Sequence, residues 1–263
     1  MNLKITSYLL CFITIVIISC GKKNDAKPDE QKPDPITNTR VLRIQQGIGV
    51  DDTVFLITYD PNNRIKSIVD SAEKSDLQAT YNEAGLLIST IQKYTDGGAS
   101  TPVTFTYNAD KTLAEANVTF GSLEKFRDVF EYTNGIISKR TFYDYDLSKS
   151  TLRYWKYWTY EVTNGNITNR KEFDSNNKLL EEITYTYTNE ANFFRPFALV
   201  NFQNKVGLNY LCEEDIIFNK NSIASYTRQG FTTTFTYTYN SNKLPVKVIE
   251  ISQHYTNTRT FSY

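Results

Sequence analysis

The chain has 263 residues, with 29 basic side chains balancing 29 acidic ones, 14% aromatics, three cysteines and one histidine. That balance leaves no basic field to recruit nucleic acid, and so few cysteines and histidines exclude a metal or cofactor site built on Cys/His clusters. The length suits one large domain or two small ones behind a short leader.

The leader comes first in chain order. Lys4 supplies a basic start, and Tyr8 to Ile18 is an apolar run of 11 residues broken only by Thr14. A spanning helix needs about 20 apolar residues, so this run fits the apolar region of a signal peptide over residues 1–19. Ile17-Ile18-Ser19-Cys20-Gly21 is similar to a bacterial lipobox: Ser19 is the small residue before the cut, and Cys20 becomes the lipidated first residue of the mature chain. Each acyl CH₂ in the bilayer contributes about 0.8 kcal/mol, and two or more chains hold a protein stably. The lipid is therefore expected to be the membrane partner, with an outer-membrane address on the periplasmic face or the cell surface.

Residues 20–39 read as a tether. Four lysines, four acidic residues and Pro28, Pro33 and Pro35 fall in this stretch with few apolar groups to offset its ordering entropy. The 18 residues from Gly21 to Asn38 can reach at most about 60 Å. With Cys11 removed and Cys20 lipidated, Cys212 has no disulfide partner and reads as a small packing residue.

Residues 40–263 carry an internal repeat: alternating aromatic and threonine residues, a polar turn, then Ile or Leu. Examples are Phe55-Leu56-Ile57-Thr58-Tyr59 before Asp60-Pro61-Asn62-Asn63, Val103-Thr104-Phe105-Thr106-Tyr107 before Asn108-Ala109-Asp110-Lys111, and Phe235-Thr236-Tyr237-Thr238-Tyr239 before Asn240-Ser241-Asn242-Lys243. With residues 59, 81, 107, 132, 162, 187, 218 and 239 as the last aromatic or its equivalent, the steps run from 21 to 31 residues. A period of two puts aromatics on one face of a strand and threonines on the other, and the Asn/Asp/Gly turns accept positive φ. The expected fold is all-β: an antiparallel meander of roughly 14–17 strands, curled or closed into a barrel-like sheet because open sheets rarely exceed about ten strands. Aromatics line its interior and threonines meet water. A membrane-spanning barrel would need an apolar outer band, which these outer faces lack. Asn189 to Ile217 breaks the pattern with dense apolar content. Pro196 suits a first helical position, so a helical turn or two is expected near 190–215 as a cap or plug.

The search for chemistry finds no nucleophile elbow, phosphate loop or dinucleotide fingerprint. His254 stands alone. Glu181-Glu182 and Asp51-Asp52 are adjacent on strands and so point to opposite faces. No catalytic residue, metal ligand or cofactor is assigned. The best binding candidate is Tyr154-Trp155-Lys156-Tyr157-Trp158-Thr159-Tyr160, which holds both tryptophans. In a regular strand Tyr154, Trp158 and Tyr160 face inward, while Trp155 and Tyr157 stand exposed side by side, where amphipathic rings can stack on sugars or anchor a protein.

The Tyr59-Asp60 unit with Arg64-Ile65 resembles the tyrosine–aspartate repeats of RHS proteins, which build curling sheets. Across residues 40–263, the combination of lipobox, tether, these hairpins and a late Pro196-Phe197 insertion resembles Bacteroidetes-type lipoproteins of unknown function, one family of which has a porin-like β fold. The resemblance implies fold and address, and brings no catalytic residues. The expected function is non-enzymatic binding or scaffolding in the envelope, with a glycan or an envelope protein as partner. The rivals are a glycan hydrolase built from dispersed carboxylates and a purely structural outer-membrane accessory.

Overall fold

The computed structural model describes residues 40–48, 51–97, 100–120, 123–146, 149–203 and 214–263. Ser19, Cys20, the tether and Cys212 lie outside the described residues. Sixteen antiparallel strands form one closed barrel. In chain order they are β1 (Arg43–Ile48), β2 (Asp51–Tyr59), β3 (Ile65–Asp70), β4 (Ser75–Tyr81), β5 (Leu87–Tyr94), β6 (Thr101–Tyr107), β7 (Leu113–Phe120) and β8 (Leu123–Thr133). Then follow β9 (Ile136–Asp146), β10 (Thr151–Thr163), β11 (Asn166–Asp174), β12 (Leu179–Ala191), β13 (Asn221–Arg228), β14 (Phe231–Tyr239), β15 (Pro245–Ile251) and β16 (Thr256–Ser262). Each strand pairs with its sequence neighbours, and β1 pairs with β16 to close the ring, Ile44 opposite Phe261. The meander, its closure and the count all agree with the sequence expectation.

One device repeats at the end of the barrel where β2 turns into β3. Each pair from β2–β3 through β14–β15 carries a bulge in its return strand. In β2–β3, for instance, Tyr59 faces Ile65 and Thr58 faces Ser67, so Lys66 is the extra residue. A bulge disrupts the ladder locally and leaves backbone groups needing other partners. The next unit's tyrosine supplies one. Tyr81 donates its hydroxyl hydrogen to the Ile65 carbonyl (2.9 Å), Tyr107 to Leu87 (2.8 Å), Tyr132 to Leu113 (3.0 Å), Tyr187 to Ile167, Tyr237 to Ile223 (2.8 Å) and Tyr263 to Pro245 (2.7 Å). Tyr59 does the same to Val41 (3.1 Å) beside the closing seam. The recurrent aromatic is thus a lock between successive hairpins. Val162 sits where an eighth tyrosine would meet the Ile137 carbonyl. Burial pushes the Tyr59 and Tyr107 hydroxyls up to about 12, so they stay donors at neutral pH.

The turns at this end follow from their side chains. Asp60 accepts from the Arg64 amide (2.9 Å) and guanidinium (2.7 Å), and that guanidinium lies 4.5 Å from the centre of the Tyr81 ring. Asn82 and Asn240 accept from the amides of Leu86 and Leu244 in the same way. Asn134-Gly135 makes a two-residue turn with φ of 53° and 76°, the left-handed pair such hairpins require. Asp174 to Lys178 turns the chain at the opposite end, as its composition suggests.

Inward faces carry Phe55, Ile68, Leu77, Val103, Ile167, Ile183 and Val248, all fully buried. Between β12 and β13 the chain forms α1 (Arg195–Val200), with Pro196 in its first turn, and a 3-10 turn at Glu214–Phe218. Phe202 reaches Phe105 and Phe130 of the wall (ring centres 6.3 and 5.8 Å), and Phe193 and Phe194 meet Phe261. Burying one such phenylalanine contributes about 1.5–3 kcal/mol, so this insertion plugs the tyrosine end. Phe218 belongs to the plug rather than to a strand, packing on Phe130, Tyr132 and Tyr160. Its Phe-Asn-Lys-Asn sequence mimics a hairpin end, but the Asn219 amide closes a tight turn on Ile216 and the Asn219 side chain holds the Ile167 amide. The outer wall carries many polar contacts, Thr58 bonding Ser67, Thr186 bonding Ser225, Lys139 pairing with Glu131 and Lys171 lying between Glu161 and Glu182, beside exposed aliphatics such as Leu56 and Ile88.

Candidate functional site

Strands β8 to β12 carry most of the molecule's chemistry, on both faces. Inside, Asp128 pairs with Arg140 (2.6 Å), both buried, and the plug's Gln203 donates to the same carboxylate (2.6 Å). The Arg140 guanidinium also lies over the rings of Trp158 (4.6 Å) and Phe202 (5.0 Å). Asp215 of the plug accepts from Tyr160 (2.7 Å) and Arg170 (2.6 Å). Burial alone would raise the Asp215 carboxyl. The charges of Arg170 and Arg140, with these hydrogen bonds, outweigh it and hold the group below the usual carboxylate range. Tyr160 is driven up by burial and by the Asp215 charge.

Glu172 and Glu181 stand opposite each other on β11 and β12. This is the one facing pair of lumen carboxylates that the register of these two strands provides, and it is what a glycan hydrolase would need. Their oxygens are already committed. Glu172 takes Lys156 (3.1 Å) on one and the Trp158 indole N–H (2.8 Å) on the other, while Glu181 takes Arg170 (3.1 Å) and Arg228. Held this way, the pair ties four strands together, with every oxygen already carrying a donor. Further round, Arg259 joins Gln46 (2.9 Å) and Glu250 (3.0 Å) across the closing seam. Among the described residues, no group of three His, Cys, Asp or Glu side chains could hold a metal ion. His254 sits in the β15–β16 turn with its ring 6.3 Å from that of Phe231.

Outside, the tryptophan segment departs from the regular strand expected of it. Tyr154 pairs with Tyr143 and Lys156 with Phe142, which leaves Trp155 as an extra, bulged residue. The period shifts by one at that point. Trp158 and Tyr160 face inward as expected, but Tyr154 turns outward to stack on Tyr157. Trp155 does not stand beside Tyr157. Its ring lies 4.4 Å from the Arg153 guanidinium, and Arg153 pairs with Asp144, whose partner in register is Phe126, a residue packed on the core. Trp155 therefore belongs to the barrel mouth, 44% exposed.

Tyr157 instead sits within a row that crosses three strands: Tyr143, Tyr154, Tyr157 and Phe173, with successive ring centres 6.1, 6.2 and 5.0 Å apart. Tyr157 lies inside the row, between Tyr154 and Phe173. Rings cover it on either side, its hydroxyl donates to Asn177 (3.0 Å), and Lys139 lies 5.3 Å from its centre. Tyr154, 37% exposed, is the most open ring of the row. Tyr143 and Phe173 were not candidates from sequence. Their alternation was visible, but the bulge that aligns them with Tyr154 has no compositional mark.

No family model matches the chain, and no curated protein does. Among solved structures it is similar to a porin-like protein from Bacteroides uniformis, at 13% identity and a TM-score of 0.54 over 84% of this chain and 96% of that one. A porin-like protein from Bacteroides vulgatus aligns over 85% of this chain and 98% of that one at 12% identity, with a TM-score of 0.38. The first likeness places the chain in the porin-like β-barrel fold.

Proposed function

We propose that this chain is an envelope lipoprotein, cut after Ser19 and anchored through acylated Cys20, whose barrel is a non-enzymatic binding module displayed on the residue 20–39 tether. The observation that carries the reading is the aromatic row Tyr143–Tyr154–Tyr157–Phe173, four rings in succession on the outer wall. Tyrosine combines a large apolar ring with a polar hydroxyl, the chemistry that suits a sugar surface. Trp155 at the mouth adds a second exposed ring nearby in sequence. Support for the anchor comes from the outer wall itself. Lys139, Glu131, Lys171 and Glu182 project from it, and a lysine on a lipid-facing strand costs about 2–4 kcal/mol at the bilayer midplane. A barrel with this exterior stands in water and needs another means of attachment. Support for a non-enzymatic role comes from the committed oxygens of Glu172 and Glu181.

The test is a glycan array probed with the purified chain, then with Tyr154→Ala and Trp155→Ala. The expected result is a defined glycan class bound by the wild type and weakened at least tenfold by Tyr154→Ala, with the circular dichroism of the barrel unchanged. An array with no signal, or a signal indifferent to both substitutions, removes the carbohydrate reading. Acyl labelling in cells tests the anchor separately, since Cys20→Ser is expected to abolish it.

A further inference from the structure

The aromatic row runs into a different kind of feature. Phe173 faces Leu179, the first residue of β12. On its other side β12 meets β13, but that ladder begins only at Ile183 opposite Arg228. The chain then turns back through Gln229-Gly230 into β14. Leu179, Glu181 and Glu182 therefore pair with β11 alone, with Leu180 bulged between them, and among the described residues they present an open strand edge above the β13–β14 turn. A concavity of about 400 Å³ lies over this edge, lined by Leu179, Leu180, Glu182, Thr227 and Gly230 among others. Leu179 and Leu180 are 48% and 46% exposed. A Cβ placed on Gly230 would meet nothing within 4 Å, so the turn leaves the approach clear.

We propose that this step is a strand-addition site that takes a short extended peptide, lying where a longer β13 would continue. The edge selects the class of partner. Alternate residues of an unpaired edge offer an N–H and a C=O at the spacing of a β-ladder, which another polypeptide backbone matches and a sugar or an acyl chain does not. The two exposed leucines favour apolar side chains on the peptide. The charged neighbours ask for no counter-charge, because Glu182 is already bonded to Asn169 (2.7 Å) and near Lys171 (3.6 Å), and Glu181 to two arginines. At about 3.3 Å per residue, the four open residues accommodate a peptide core of about four or five residues. This inference does not depend on glycan binding by the aromatic row.

The probe is a display library of random linear peptides, selected against the purified full chain. The affinity of an enriched peptide is then measured by fluorescence anisotropy. Three results are expected together. The enriched peptides carry apolar residues. Binding falls at least tenfold when alternate peptide amides are N-methylated, and falls similarly on Leu180→Lys, while Tyr154→Ala leaves it unchanged. Hydrogen exchange of the amides in residues 179–182 slows on binding. Failure to enrich any peptide, indifference to N-methylation, or protection at a different segment would each overturn the proposal. Exchange rates of the free Leu180→Lys chain matching the wild type elsewhere show that the variant is folded.

Discussion

The two ends of the barrel are held by opposite means. At the tyrosine end, one small unit recurs: a bulge, a carbonyl beside it, and a hydroxyl from the next hairpin to meet that carbonyl. At the open end no shared unit appears among the described residues. Each stretch of lumen is joined by its own pair of charges, such as Arg259 with Glu250 or Lys156 with Glu172. The repeated end fixes register seven times over with neutral hydrogen bonds. The open end is free to vary from hairpin to hairpin, and there the strands overshoot one another, leaving the bulged Trp155 and the bare edge of β12. Uniform construction at one end lets the other be irregular without loss of closure.

Alkaline titration should break the regular end as a whole. Tyr59 and Tyr107 ionise near 12 in the folded state, against 10.0 when free. The folded chain therefore binds those protons more tightly, and the stability they represent is complete below pH 10 and lost as pH rises through about 12. Tyrosinate absorbance and loss of sheet circular dichroism should rise together in that window. A sheet that stays intact as pH rises through about 12 would show that this staircase of hydroxyl bonds contributes little.

A single charge at the open end comes next. Arg259 and Glu250 are both buried, and removing one partner of such a pair costs about 3–5 kcal/mol. Arg259→Ala should lower the urea midpoint by the corresponding amount. A rung of the staircase is worth less. Tyr107→Phe leaves the Leu87 carbonyl without its hydroxyl, at about 1 kcal/mol, and the reverse change Val162→Tyr tests whether the missing rung can be filled by comparing unfolding midpoints of the two variants. The smallest effect belongs to the outer wall. Lys139→Ala, which removes an exposed pair with Glu131, should stay below about 0.5 kcal/mol. A larger loss would make the wall a stabilising network rather than a solvated surface.

The regular end was legible in the sequence because its chemistry is local. Alternating Phe, Thr and Tyr before an Asn-rich turn implies a hairpin wherever it occurs, and enough hairpins force a closed sheet. The Pro196 insertion was legible for the same reason, since a break in a period is itself local. The open end was not. Gln46 and Arg259 meet across 213 residues, and Gln203 and Asp128 across 75, so neither pairing has a sequence signal. One extra residue at Trp155 reversed the face assigned to Tyr154. The same limit applies at Phe218, where the residues imitate a hairpin end and the fold uses them to fill the lumen.

The pairing of β1 with β16 has a consequence for how the molecule comes to exist. Every other strand can pair with a neighbour made moments before, but the outer side of β1 waits for β16. Until then the sheet is an unfinished ribbon with two raw borders and an aromatic face uncovered, the condition in which nascent sheets stick to one another. A chain with this topology needs a companion that shields it while it folds, or pairing of β16 with β1 fast enough that the ring closes before the ribbon meets its own kind.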